Sequence, residues 1–154
     1  KIIKILLQSD FDNLSLILFF FASRFSLLSS MKSRGLVVFD RFFDSTYAYQ
    51  KITSNDKLLI LNLINQIEKK FIPTITFYFK INKKTLLDRK KTRGDKNFFD
   101  KKYASHFARI QKNYDEIGKM KIGKRKFITI DASKPKDIVH KEIVENLKKC
   151  NLIK

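Results

Sequence analysis

The sequence predicts an α/β domain built on a parallel sheet, and two observations carry that expectation. Three short apolar runs alternate along the chain with segments of helical spacing about 10 to 20 residues long. The first of those runs, Val37–Phe39, is apolar in succession without alternation, as in an interior strand covered on both faces. No Pro/Gly/Ser-rich linker or composition shift divides the 154 residues, so one domain spanning 1–154 is expected.

In order, Asn13–Lys32 carries apolar side chains in nearly every turn and no Gly or Pro, which predicts a long buried helix stopped by Gly35. Val37–Phe39 follows as a strand. The polar residues Ser45, Thr46, Tyr49 and Gln50 then fall on a loop. A cap region at Ser54–Asp56 opens a helix that runs to Phe71, Pro73 breaks it, and "TITFYFKI" is the second strand. Asn82 caps a short helix to Arg93, and Gly94 begins a loop. Phe99, Tyr103, Phe107, Ile110, Tyr114 and Ile117, at spacings of three and four, predict a helix over 98–119. "KFITIDAS" is the third strand, and Pro135 starts a last amphipathic helix to Lys149, where its missing N–H does no harm.

Composition excludes several classes. With 44% hydrophobic and 31% charged residues, the chain can build a core that a disordered chain cannot. The most apolar stretch, Leu14–Ala22, is interrupted by Ser15 and closed by Ser23 and Arg24, short of the roughly 18 residues of a membrane span. The basic start "KIIKILLQSD" has no small-residue cleavage site, which argues against a signal peptide. Cys150 is the one cysteine, so no internal disulfide forms, and a cytoplasmic setting fits. His106 and His140 have no acid or Cys at metal-ligand spacing. A net charge of +18 attracts anions in general, yet the lysines are spread along the whole chain as on a solvated surface. The seven arginines discriminate better, because a planar guanidinium fixes a phosphate or carboxylate in one geometry.

In parallel α/β sheets chemistry gathers beyond the carboxyl ends of the strands, here Asp40-Arg41, the segment after Ile81, and Asp131-Ala132-Ser133. A carboxylate beside an arginine at a strand end can hold hydrated Mg²⁺ and a phosphate oxygen pair, the positioning and charge neutralisation that phosphoryl transfer needs; an ion pair at a strand end is the plain alternative. Phe20 and Arg24 are four apart, on one helix face, where they can stack a base and bond its edge or simply join the core. The Ser45–Gln50 cluster offers donors and acceptors, or ordinary turn chemistry.

Taken together, "LILFFFASRFSLL", "VVFDRFFDSTYAYQ", "PTITFYFKI" with "LLDRKKTRG", and "FITIDAS" resemble, in this order, the motifs of bacterial thymidylate kinases over nearly the whole chain. The resemblance implies a three-layer P-loop kinase-like fold and transfer of the γ-phosphate of ATP to dTMP with Mg²⁺. It implies that Phe20 stacks on thymine, Arg24 contacts its carbonyl edge, Arg41 binds the dTMP phosphate, and Asp40 helps organise Mg²⁺. Ser45, Thr46 and Gln50 would serve the acceptor, with Thr46 and Gln50 facing the base and Tyr49 against the sugar. Arg89 and Arg93 match arginines of a mobile lid at about 89–98, and Asp131, Ala132 and Ser133 would pass close to the adenine. A homodimer packed through helices is also implied, and Leu14–Leu28, too apolar for a one-sided helix, is the expected contact.

The chain departs from the family at its start. Its four glycines, at 35, 94, 118 and 123, form no G-x-x-x-x-G-K-[ST] loop. The expectation is therefore an N-terminally truncated domain that lacks about 30 residues of strand, phosphate loop and helix. Such a chain should be nearly inactive alone, since positioning of the phosphates is most of what these enzymes supply. The competing readings are a basic nucleic-acid-binding protein, against which most of the 15 Phe fall at core spacings, and a catalytically dead nucleotide-binding remnant.

Overall fold

The computed structural model describes residues 12–32, 35–68, 71–93 and 104–154. Helices and a two-stranded parallel sheet alternate: α1 (Asn13–Ser30), α2 (Phe43–Gln50), α3 (Ser54–Glu68), β1 (Ile75–Lys80), α4 (Lys83–Arg93), a 3₁₀ turn (Ala104–His106), α5 (Phe107–Lys119), β2 (Lys126–Asp131) and α6 (Lys136–Lys149). They divide into two compact units, residues 1–72 with 112–124 and residues 73–111 with 125–154, so α5 contributes to both.

In the first unit α1, α2 and α3 pack on one another around a core of Ile17, Phe21, Leu28, Phe43, Tyr47, Ile60, Ile64, Ile67, Ile117 and Ile122. Asp12 caps α1, its carboxylate accepting from the Ser15 N–H at 2.9 Å. The α1 helix ends at Ser30, two residues before the predicted last residue Lys32, where the Met31 N–H turns back to the Leu28 carbonyl. Its 18 residues are long and apolar enough, by length and composition only, to cross a membrane. The expectation of too short an apolar run is corrected in that respect. Only Leu16, Ile17, Phe21 and Leu28 of α1 are buried in protein, so the expected long buried helix is buried along one side.

Two further expectations are corrected in this unit. Ser45–Gln50 is not loop but part of α2, and seven of its eight residues are buried. A helix buried nearly all round loses the polar face that gives helical periodicity, so its pattern is invisible in sequence. Val37–Phe39 is not a strand: the described residues contain only β1 and β2, and Val38 is 83% exposed. Strand geometry persists only where backbone N–H and C=O groups find a partner strand, and among the described residues β1 and β2 pair with each other alone.

In the second unit β1 and β2 pair in parallel from Ile75↔Lys126 to Lys80↔Asp131, and α6 packs on β2. Tyr78 and Ile130 are its buried strand residues. Asn82 caps α4 as expected, accepting from the Thr85 N–H at 2.8 Å. Both strands end together, which brings Ile81–Asn82 beside Asp131–Ser133.

Candidate functional site

The Phe20–Arg24 spacing does what the helix repeat predicts. The Arg24 guanidinium lies 5.4 Å from the Phe20 ring centre and 5.9 Å from that of Phe43. Its Nη1 donates to Thr46 Oγ1 at 2.7 Å and to the Phe20 carbonyl at 3.3 Å. Burial lowers its pKa from 12.5 to about 10, with the charge of Arg41 acting in the same direction and Asp44 opposing. A partly desolvated cation close to two rings is attracted by both ring faces.

Arg41 is exposed and has a φ of 68°. A left-handed backbone at a side chain of this size is uncommon and tends to occur where local geometry serves a site. It aims the side chain over the Tyr49 ring, 5.1 Å from its centre. Asp40, preceding it, is exposed. Along α2, Ser45 and Tyr114 share a hydrogen bond at 2.9 Å, and the Tyr49 and Tyr114 rings meet edge to face at 6.5 Å. Burial pushes the Tyr114 hydroxyl up to about 12, so it stays protonated at neutral pH. Asp44 is buried in the first turn of α2, the favourable end for a carboxylate. Gln50 closes the helix and is also buried.

Thus Phe20, Arg24, Arg41, Ser45, Thr46 and Tyr49, chosen from sequence, converge in the first unit. Sequence reasoning missed Phe43, Asp44 and Tyr114. Tyr114 sits at a core spacing on α5, and nothing along the chain signals that its hydroxyl meets Ser45, 69 residues away.

Arg89, Asp131, Ala132 and Ser133 lie in the second unit, near the carboxyl ends of β1 and β2. Asp131 Oδ1 accepts from the Ser133 N–H at 2.9 Å, and the Ala132 N–H donates to the Lys80 carbonyl at 2.8 Å. Ser133 Oγ accepts from Asn82 Nδ2 at 3.0 Å, and Arg89 Nη2 reaches the Lys134 carbonyl at 3.5 Å. Arg93 is the last residue of α4. The rest of the predicted lid, 94–98, lies outside the described residues.

The thymidylate kinase family model matches residues 1–143. The chain belongs to the thymidylate kinase family. Among relatives named thymidylate kinase, that of Ureaplasma parvum serovar 3 is 34% identical over 120 residues, covering 74% of this chain and 50% of its own length. That of Malacoplasma penetrans is 33% identical over 146 residues, 88% of this chain and 67% of its own. That of Wolbachia pipientis is 32% identical over 150 residues, 94% of this chain and 71% of its own. The chain spans about half the length of the Ureaplasma thymidylate kinase it matches.

Proposed function

We infer that the full-length protein transfers the γ-phosphate of ATP to dTMP, giving dTDP, and that residues 1–154 supply the acceptor-binding and lid portion of one kinase domain. The observation that carries this reading is the convergence of Arg24, poised between Phe20 and Phe43 and bonded to Thr46, with Arg41 turned over Tyr49. One half-buried guanidinium suits an uncharged base edge; the other, exposed, suits a dianionic phosphate.

In this reading Phe20 stacks on the base, Arg24 and Thr46 bond its edge, and Gln50 supports that end. Ser45 and Tyr49 line the sugar and phosphate path, and Arg41 takes the acceptor phosphate. Arg89 and Arg93 close on the ATP phosphates, and Asp131, Ala132 and Ser133 border the adenine. No covalent intermediate is needed, because transfer is in line and the protein's work is positioning and charge stabilisation. A G-x-x-x-x-G-K-[ST] loop does not occur in these 154 residues, so in this reading the β- and γ-phosphates are cradled elsewhere in the protein.

Asp40 would hold Mg²⁺. Among the described residues no three His, Cys, Asp or Glu side chains cluster, and an exposed single carboxylate suits an ion that keeps most of its waters and nucleotide oxygens. When bound, the ion neutralises charge on the transferring group. The reading also includes a cytoplasmic homodimer, with Leu14, Leu18 and Phe25, which stand along one stripe of α1 and are each at least 42% exposed, at its interface. The test is a coupled assay of the full-length gene product with ATP and either dTMP or thymidine. Turnover with dTMP alone is expected; turnover with thymidine alone would reassign the enzyme as a nucleoside kinase.

A further inference from the structure

The α2 helix carries Ser45, Thr46, Tyr49 and Gln50 but has only eight residues. A helix this short cannot satisfy its last carbonyls internally, and a buried one cannot leave them to water. Its final turn is closed from outside. The Asn113 side-chain amide, on α5, donates to the Ala48 and Lys51 carbonyls, at 3.1 Å each. Asn13, at the start of α1, donates to the Gln50 carbonyl at 2.8 Å. Asn113 is 4% exposed and lies 65 residues from Ala48, so this is a buried, long-range cap.

We propose that Asn113 is a positioning residue for the acceptor site, acting through the last turn of α2. Its two amide hydrogen bonds go to the Ala48 and Lys51 carbonyls, neither of them a residue assigned to substrate. It holds the turn from which Tyr49 supports Arg41 and in which Gln50 ends the helix. Its neighbours on α5 act on the same segment: Tyr114 bonds Ser45 in α2, and Glu116 pairs with Lys51, the residue that caps it. An amide fits this place because each of its two N–H groups meets a carbonyl; a carboxylate of the same shape would present only acceptors.

The inference rests on the phosphotransfer reading above, and its test separates the two. In the full-length protein, Asn113→Ala and Asn113→Asp should raise the KM for dTMP roughly tenfold, the scale of one lost buried hydrogen bond, with kcat and the KM for ATP changed less than twofold. Asn13→Ala should shift the same constant in the same direction by less. Ile67→Ala, a core truncation in the same unit, should lower Tm while leaving the KM for dTMP unchanged. Amide exchange at residues 48–51 should quicken about tenfold in Asn113→Ala, a readout that needs no activity. An unchanged dTMP KM with a lowered Tm would reduce Asn113 to a structural cap and overturn the proposal, as would unchanged exchange. An unmodified protein that does not phosphorylate dTMP would overturn the phosphotransfer reading instead, with the exchange rates still deciding whether Asn113 holds the turn.

Discussion

Replacing Arg24 by Met should make the unliganded protein more stable while crippling acceptor binding. Lowering the Arg24 pKa from 12.5 to about 10 means that the folded chain holds the charged form at a cost of about 3 kcal/mol, at 1.36 kcal/mol per unit. Against this stand the hydrogen bond to Thr46, worth about 1 kcal/mol, and the contacts with Phe20 and Phe43, together about 1 kcal/mol. Methionine keeps the stem between the rings without the charge, leaving a net gain of about 1 kcal/mol, or roughly 2–4 °C in Tm for a chain of this size. Calorimetry of Arg24→Met gives the first number, and dTMP titration the second, an expected loss of about 20-fold or more. A Tm lowered by several degrees, or undiminished dTMP binding, would refute the view of Arg24 as a desolvated cation kept for recognition.

Three other outcomes are expected. Burial acts to raise the pKa of Glu116, but hydrogen bonds from Lys51 and Lys57 prevail and bring it to about 2 from an ordinary 4.5. A depressed carboxylate contributes stability that is present above pH 4.5 and lost as pH falls toward 2, so Glu116→Gln should flatten acid unfolding in that window by circular dichroism. Tyr49→Leu should weaken dTMP binding about threefold to tenfold through loss of the ring beneath Arg41, with thymidine binding changed less. Ile60→Ala, at a side chain with 0% exposure in the first core, should cost about 2–5 kcal/mol in urea unfolding.

The strongly periodic parts of the fold were legible. α3, α5 and α6 show apolar spacing, α1 is a long apolar run without Gly or Pro, Asn82 and Pro135 mark helix starts, and the aromatic, β-branched runs at Ile75–Lys80 and Lys126–Asp131 are the two strands. α2 was hidden because burial on every side removes periodicity. Val37–Phe39 misled because apolar succession reports burial against a partner, and no described strand provides one. For the candidate site, local spacing pointed to Phe20 with Arg24 and to the Asp40-Arg41 pair. Residues that join it only through the third dimension, such as Phe43, Tyr114 and the cap Asn113, left no local signature.

The measurement that bears most directly on the account is titration of the full-length protein with dTMP and, separately, with thymidine, repeated on Arg41→Gln. If Arg41 takes the acceptor phosphate, dTMP binds the unmodified protein at least tenfold more tightly than thymidine, and Arg41→Gln removes that difference while leaving thymidine affinity in place. Equal affinities in the unmodified protein, or a preference for dTMP that survives Arg41→Gln, would contradict it.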